Sequence, residues 1–170
     1  MDGVFILIMT QIITVIGKSN SGKTTLIERL IPEIRERGYR VGTIKHVHNR
    51  LDIDKKGKDS WRHRKAGADM VLVASPDEIV MVKDERNSSL DNLVRYFDDM
   101  DIVIAEGYKR ENRPKIEVFR SSIHQVPLCL NNDNLIAFVT DSTNIKTKIP
   151  VFGLDEIKKI ADLIERRFLS

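Results

Sequence analysis

The segment from Gly17 to Thr24 constrains this chain more than any other part of its sequence. It reads Gly-Lys-Ser-Asn-Ser-Gly-Lys-Thr and matches the pattern G-x-x-x-x-G-K-[ST] at every fixed position. The apolar run Ile12–Ile16 precedes it, and apolar residues with helical spacing, from Leu26 to Ile34, follow it. A glycine-rich turn between a strand and a helix gathers backbone N–H groups around phosphate oxygens. The sequence therefore predicts a P-loop that holds a Mg²⁺–nucleoside triphosphate.

Several side chains of this loop have predicted tasks. Lys23 reaches the β- and γ-phosphates and is a candidate catalytic residue, and the Thr24 hydroxyl ligates Mg²⁺. Lys18 adds a positive charge that either contacts the phosphates, as one class of P-loop proteins does across a dimer interface, or stays solvated. The predicted phosphate-binding residues are Gly17, Lys18, Ser19, Asn20, Ser21, Gly22, Lys23, Thr24 and Thr25.

A second apolar strand brings a carboxylate toward the predicted metal. The run Ile102–Ala105 ends in Glu106-Gly107, where P-loop proteins usually place an aspartate. Glu106 is a candidate catalytic and metal residue that holds Mg²⁺ through a water or orients the attacking water, and the alternative is a carboxylate solvated at a strand end. Asp54, in the polar segment after the second strand, is a further candidate Mg²⁺ ligand.

Recognition of the base depends on a weaker signal. GTPases commonly read guanine with the tetrad N-K-x-D after a late strand, and the chain contains no such tetrad. Thr140-Asp141 ends a late apolar strand instead, and a carboxylate accepts from both guanine N1–H and the exocyclic amine, whereas adenine offers no matching pair of donors. Asp141 is therefore either the residue that selects GTP or an ordinary turn aspartate.

A basic segment follows the second predicted strand. Lys45 and His46 come directly off that strand, at the edge of the sheet where ligands bind in open α/β folds. Six positive charges follow between residues 55 and 65, among them Lys58. Such a run either forms a solvated face or binds a second anionic ligand beside the phosphate loop.

The order of elements predicts an α/β fold. Strands are predicted at 12–16, 41–44, 70–74, 79–82, 102–105, 116–119, 135–139 and near residue 151, and helices at 26–34, 59–67, 90–97 and 155–168. Alternation of strands and helices favours a three-layer P-loop NTPase fold with a mostly parallel central sheet. We expect a single domain over residues 1–170, with residues 1–10 as an N-terminal extension because Met9 stands just ahead of the first strand.

Composition narrows the range of functions. The chain has 28 basic and 25 acidic residues, a net charge of +3, and 6% aromatic residues, which argues against an extended nucleic-acid surface. The apolar run at residues 4–9 is far shorter than the roughly 20 residues that span a bilayer and lacks the features of a signal peptide. The single cysteine requires no oxidising compartment. We therefore expect a cytoplasmic protein without a membrane or nucleic-acid partner.

Taken together, these segments resemble one family, molybdopterin-guanine dinucleotide biosynthesis protein B, or MobB. The resemblance covers about residues 11–168. It depends, beyond the P-loop, on the segments Gly42–His46, Asp52–Asp54, Gly57–Arg64, Ala66–Ala68, Ala105–Lys109 and Pro114–Val118. Two positions depart from the family pattern: Asn49 stands where a second histidine is frequent, and Lys56 where a proline is frequent.

The resemblance implies a GTP-binding accessory protein, usually a homodimer. It would assist the guanylyltransferase that attaches GMP to molybdopterin, with GTP and Mg²⁺ as its ligands and molybdopterin as a candidate second ligand. Hydrolysis would be slow, since no catalytic glutamine follows the acidic strand and no arginine finger is identifiable. Lys115 and Glu117 carry over as candidate pocket or interface residues, and the alternative is an exposed salt bridge at a strand edge.

Two other functions stay open. A P-loop small-molecule kinase would place an arginine-bearing lid over the phosphates, for which the loop Arg110–Arg113 is a candidate. A metal-insertion GTPase of the nickel-maturation type needs a Cys/His cluster, which one cysteine and four scattered histidines supply poorly.

Overall fold

The computed structural model describes residues 10–47, 49, 54–130 and 132–170. The predicted start at Met9 therefore lies outside the described residues, as does nearly all of the predicted N-terminal extension. The chain divides into two compact units: one combines the chain up to His46 with Leu93–Ser170, and the other is Val47–Asn92. The expectation of a single domain over residues 1–170 stays a prediction.

The helices and strands follow one another in the predicted order. They are β1 (Gln11–Ile16), α1 (Lys23–Glu36), β2 (Val41–Lys45), α2 (Asp59–Lys65), β3 (Met70–Ala74), β4 (Ile79–Lys83), α3 (Leu90–Leu93), a single 3₁₀ turn (Val94–Tyr96), β5 (Ile102–Glu106), β6 (Lys115–Phe119), β7 (Leu135–Thr140), β8 (Val151–Phe152) and α4 (Ile157–Phe168). The helix expected over residues 90–97 is thus one α-turn that tightens into a 3₁₀ turn, in keeping with the low helix propensity of Val94, Tyr96 and Phe97.

Six strands of the first unit form one sheet in the order β2-β5-β1-β6-β7-β8. All five pairings are parallel, which confirms the predicted α/β fold with its mostly parallel sheet. Parallel strands present their carboxyl ends at the same edge, and the register places Val15 beside Glu106 and Ile16 beside Glu117. The loop after β1 and the carboxylates of β5 and β6 therefore share one edge of the sheet.

Helices α1 and α4 cover one face of this sheet. Leu30 and Ile34 from α1 and Ile160 and Ile164 from α4 pack against strand residues in one apolar core. Each of these four side chains is almost fully removed from water, and burial of each one stabilises the folded state by about 1.5–3 kcal/mol. Pro32 lies inside α1 but does not end the helix, which continues to Glu36. The proline is on the exposed side of the helix.

The other face of the sheet carries two charged side chains. Lys115 and Glu117 alternate along β6 with Ile116 and Val118, which belong to the core beneath α1 and α4. Both charged residues are only 1% exposed, and β6 lies between β1 and β7. The alternative of an exposed salt bridge at a strand edge was therefore wrong for this pair.

The second unit contains a two-stranded antiparallel sheet. Strands β3 and β4 pair with Met70 opposite Lys83 and Ala74 opposite Ile79, joined by the predicted Ser-Pro-Asp turn. Large apolar side chains on both strands are exposed to solvent: Met70, Leu72, Val73, Ile79, Val80 and Met81. These six side chains form a concentrated set of exposed apolar residues on one hairpin of the second unit. Among the described residues, none of the helices combines the length and apolar character that crossing a bilayer demands.

Candidate nucleotide-binding site

The loop between β1 and α1 has the backbone of a P-loop. Gly17, Asn20 and Gly22 all have positive φ angles, and the amide of Ser21 donates to the carbonyl of Lys18. A Cβ on Gly17 would lie 2.4 Å from the carbonyl oxygen of Val118 and 2.5 Å from Oγ of Ser21. Only glycine fits this position, because the neighbouring strand approaches the loop too closely for any side chain.

The ammonium of Lys23 is held within the loop. Its Nζ donates to the backbone oxygen of Lys18 at 2.9 Å, which folds the side chain over the turn. Burial lowers the pKa of Lys23, the carboxylate of Glu106 acts in the opposite direction, and the neighbouring cation Lys45 lowers it further. The ammonium therefore lies where an incoming phosphate would replace a backbone carbonyl as its partner.

A hydroxyl and a carboxylate meet at the start of α1. Oγ1 of Thr24 donates to Oε2 of Glu106 at 3.0 Å, and Nζ of Lys45 lies 3.7 Å from the same oxygen. Oxygen ligands of these two kinds suit Mg²⁺, which takes few protein ligands and completes its shell with phosphate and water. No group of three potential metal-ligating side chains occurs in the part of the chain that the structure describes. The pair fits a Mg²⁺ ion that arrives with a nucleotide.

Lys45 and His46 lie beside this pair. The amide of His46 donates to the backbone oxygen of Glu106, and its ring contacts Tyr108 with centroids 4.8 Å apart. Gly107 and Tyr108 both have left-handed backbones, and a Cβ on Gly107 would lie 3.3 Å from Cβ of His46. The chain therefore turns sharply away from the strand end immediately after the carboxylate. The phosphate contacts predicted for Lys18, Ser19 and the exposed Thr25 stay predictions.

The buried pair on β6 serves the main chain. Nζ of Lys115 donates to the backbone oxygens of Glu111 and Arg113, and the carboxylate of Glu117 accepts from the amides of Leu128 and Cys129. Burial lowers the pKa of Lys115 and raises the pKa of Glu117, while the two amides partly oppose the second shift. In this structure both side chains fasten loops that leave the ligand edge of the sheet, and their role toward a ligand stays a prediction.

Asp141 follows β7 at the same edge, with its carboxylate already hydrogen bonded. Oδ1 accepts from the amide and hydroxyl of Ser121, Oδ2 accepts from the hydroxyl of Ser122, and Nε of Arg120 lies 3.4 Å from Oδ2. The backbone donor of Ser121 is the largest cause that lowers the pKa of Asp141. These contacts fasten the turn after β6 to the end of β7, and the role of Asp141 toward a base stays a prediction.

The same short turn reaches the P-loop. Nε2 of His124 lies 2.9 Å from the backbone oxygen of Ser19, and the amides of Ile123 and His124 both donate to Arg120. Sequence reasoning missed Ser121, Ser122 and His124, since no motif or periodicity marks them. Their position directly after a strand that ends at the ligand edge is the only signal that could have found them.

The candidates in the second unit are held by local contacts. Oδ1 of Asp54 accepts from the hydroxyl of Ser60 at 2.8 Å, and Oδ2 lies 3.8 Å from a guanidinium nitrogen of Arg64. Arg64 also pairs with Asp84, and Lys58 is exposed just before α2. A carboxylate occupied by a hydroxyl and an arginine is a poor cation ligand in this arrangement, and the assignment of Asp54 to the metal stays a prediction.

Comparison with known proteins identifies the family. The model of the family described as MobB, molybdopterin guanine dinucleotide synthesis protein B, matches residues 12–141. This chain belongs to the MobB family. The matched range runs from β1 to Asp141 and includes the P-loop, Glu106, Lys115 and Glu117.

Two relatives extend over most of the chain. A protein of Haemophilus influenzae is 39% identical over 152 residues, covering 88% of this chain and 84% of the relative. A protein of Escherichia coli is 34% identical over 151 residues, covering 86% of each. Both bear the name molybdopterin-guanine dinucleotide biosynthesis adapter protein.

Solved MobB structures share the fold. Bacillus subtilis MobB is 26% identical, with a TM-score of 0.74 over 93% of this chain and 98% of that protein. A further crystal structure, of molybdopterin-guanine biosynthesis protein B, is 29% identical with a TM-score of 0.70, over 91% of this chain and 98% of that one. The MobB likeness therefore extends well beyond the P-loop to nearly the whole chain.

Proposed function

We propose that this chain is a GTP-binding adapter in the biosynthesis of molybdopterin guanine dinucleotide. It holds Mg²⁺–GTP at the P-loop and assists a guanylyltransferase that attaches GMP to molybdopterin. Membership of the MobB family and the adapter names of the Haemophilus influenzae and Escherichia coli relatives support the pathway and the accessory role. The observation that carries the nucleotide part is the 3.0 Å contact between Thr24 and Glu106 at the mouth of a P-loop backbone.

The ammonium of Lys23, the amides of the loop and the Thr24–Glu106 pair support a Mg²⁺–triphosphate as the ligand. Lys23 and the amides of the loop bind the phosphate oxygens, and Thr24 with Glu106 holds Mg²⁺, directly or through water. The bound ion supplies positive charge that neutralises the β- and γ-phosphates. Displacement of Lys45 from Glu106 by the cation would free a second ammonium for the γ-phosphate.

The position of Asp141 supports a binding preference for guanine over adenine. Its carboxylate lies at the carboxyl end of a parallel strand next to β6, at the edge that carries the P-loop. A carboxylate can accept both donors of the guanine edge at once. The family name supports the same preference, because guanine dinucleotide is the product of the pathway.

The basic run of the second unit supports an anionic second ligand. Lys55, Lys56 and Lys58 are exposed, whereas Arg62 and Arg64 lie near acidic partners. Molybdopterin carries a phosphate, which such lysines bind as point charges. We place molybdopterin at this run as the second ligand of the adapter.

Slow hydrolysis of GTP is part of the proposal. The residues that follow Glu106 read Gly-Tyr-Lys-Arg-Glu-Asn-Arg and contain no glutamine to orient water. An arginine supplied by a partner raises the rate of such enzymes by about 10³–10⁵-fold. Family membership favours this adapter over the alternative small-molecule kinase and metal-insertion GTPase. The expected compartment is the cytoplasm.

Calorimetric titration tests the nucleotide site. Mg²⁺–GTP should bind the wild-type protein, and Lys23→Ala should abolish binding while the circular dichroism spectrum stays unchanged, because the ammonium that neutralises the β- and γ-phosphates is gone. Lys158→Ala, on the exposed side of α4, is the matched control and should bind as the wild type does. Undiminished affinity in Lys23→Ala would reject the P-loop as the nucleotide site.

A capture experiment tests the adapter role. The tagged protein, loaded with Mg²⁺–GTP, should retain a molybdopterin guanylyltransferase from native extract, and Lys23→Ala should retain less of it. Recovery of that enzyme identified by mass spectrometry supports the proposal. Its absence from the captured proteins, at a loading that saturates the P-loop, rejects the adapter role and leaves the nucleotide site standing.

A further inference from the structure

The carboxylate of Asp141 has little capacity for further hydrogen bonds. An ionised carboxylate offers about four lone-pair sites. Three of them accept hydrogen bonds in this structure, at 2.7 Å from the amide of Ser121, 2.9 Å from its hydroxyl and 3.2 Å from the hydroxyl of Ser122. Arg120 lies against the remaining side of Oδ2. Guanine cannot add its two donors to this carboxylate unless existing donors leave.

The donors differ in how easily they leave. The amide of Ser121 is fixed by the main chain, and Arg120 is held near the carboxylate by opposite charge. The two serine hydroxyls are neutral and rotate freely about one bond, so each can turn toward water at little cost. Each hydroxyl lies on a different oxygen of Asp141, as the N1–H and the exocyclic amine of guanine would.

We infer that the hydroxyls of Ser121 and Ser122 compete with guanine for Asp141: they mimic the donors of the guanine edge, weaken the binding of GTP and must be displaced when it binds. The inference rests on the proposed binding of GTP at this P-loop. A base without two adjacent donors does not use this carboxylate and displaces neither hydroxyl, so the competition lowers affinity for guanine nucleotides and leaves adenine nucleotides unaffected.

The same turn connects this exchange to the phosphate loop. Arg120 to His124 forms a tight turn whose last residue contacts the backbone oxygen of Ser19, and the next residue back, Lys18, holds the ammonium of Lys23. The turn that carries the two serines is therefore in direct contact with the P-loop.

The test compares nucleotide affinities of serine variants. Ser121→Ala with Ser122→Ala should bind Mg²⁺–GTP about tenfold more tightly, because two competing hydrogen bonds are removed. Affinity for Mg²⁺–ATP should stay within about twofold of the wild type, since adenine does not use the carboxylate. Inosine triphosphate presents one of the two guanine donors, so its gain should be intermediate.

Controls separate this inference from the proposed function. Ser142→Ala, next to Asp141 but bonded to the amide of Asn144, should leave every affinity unchanged. Asp141→Asn should weaken GTP and abolish the gain from the serine changes. A thermal unfolding curve for each variant ensures that only folded protein is compared.

Each outcome decides one point. A higher ratio of GTP to ATP affinity in the double variant supports the inference. An unchanged or lower ratio, in protein whose GTP binding is lost on Lys23→Ala, overturns the inference alone. Failure of the wild-type protein to bind GTP overturns the inference and the proposed nucleotide site together.

Discussion

At the residue scale, the site depends on positions where one atom more would not fit. Gly17 lies so close to β6 that a Cβ would meet a backbone oxygen, which cannot move aside as a side chain can. Gly42 is a second case, since a Cβ there would lie 2.4 Å from the ring of Phe97. The sequence motif therefore records steric exclusion as well as the chemistry of phosphates.

Substitution of Gly17 tests this exclusion. Gly17→Ala should lower the free energy of unfolding by about 2–5 kcal/mol, from the overpacked contact and the strained backbone together. It should also lose affinity for Mg²⁺–GTP. Gly38→Ala is the control, because Gly38 has a positive φ in open space and should cost only about 1–2 kcal/mol. Equal losses in chemical denaturation of the two variants would contradict the steric account.

The buried Glu117 gives the folded protein a signature in its pH dependence. Burial raises its pKa above the ordinary value of 4.5, so the folded state binds that proton more tightly than the unfolded chain does. The resulting stability is present at low pH and is lost as the pH rises from about 4.5 through the raised pKa. Relative to Glu117→Gln, the wild-type protein should therefore lose stability across that window in urea denaturation. A wild-type protein that gains on the variant as the pH rises would contradict this sign.

At the scale of elements, α1 and α4 are joined by charge as well as by apolar packing. Arg37, at the end of α1, lies within 2.8 Å of Glu33 on its own helix and within 2.7 Å of Asp162 and Glu165 on α4. Tyr39 donates to the same Glu165. The guanidinium is mostly covered, so this network is screened less by solvent than a pair on an open surface.

Loss of this network should be measurable. Arg37→Met should lower the free energy of unfolding by about 1–3 kcal/mol, because several carboxylates lose a charged hydrogen-bond partner. Lys159→Met is the control, since Lys159 makes one exposed pair with Glu156, the residue before α4, and its loss should cost less than about 1 kcal/mol. Equal effects of both changes in thermal unfolding would place the stability of the α1–α4 contact in apolar packing alone.

Elements and local motifs could be predicted from the sequence, whereas contacts between distant segments could not. The sequence predicted β1, the P-loop and Glu106 because each is marked by a strand, turn or helix signal within its own short stretch of chain. The sequence left open whether Lys115 and Glu117 are pocket residues or an exposed salt bridge, because their buried partners at residues 111–113 and 128–129 lie in separate loops. The turn that joins Asp141 to Ser19 leaves no periodic trace, since its contacts span 19 to 105 residues of sequence.

At the scale of the whole molecule, the exposed hairpin of β3 and β4 is where we expect the homodimer implied by the family resemblance to form. Two strands alone bury too little apolar surface to be stable, and six large apolar side chains of this hairpin are open to solvent. Among the described residues neither strand pairs with a third, and these strand edges with the exposed apolar side chains suit a second copy of the same chain. The prediction of a single domain over residues 1–170 also depends on which surface packs against these apolar side chains.

Sedimentation velocity tests the dimer. The wild-type protein should sediment at twice the mass of the chain, and Ile79→Lys should weaken self-association at least about tenfold, because two like charges enter the interface. Val126→Lys is the control: Val126 is 60% exposed, close to the 67% of Ile79, but lies outside the hairpin. Identical dimerisation of all three proteins would remove the hairpin from the interface.

The position of β1 at the middle of the sheet has a consequence for how the chain is made. Thr14 hydrogen bonds to Pro114, a residue 100 positions later, so β1 leaves the ribosome well before its partner strands β5 and β6 are synthesised. At roughly 5–20 residues per second, this apolar strand has no sheet to join for about 5–20 seconds. The phosphate loop attached to β1 therefore meets Glu106 and Val118, the residues that approach it from β5 and β6, only after that interval.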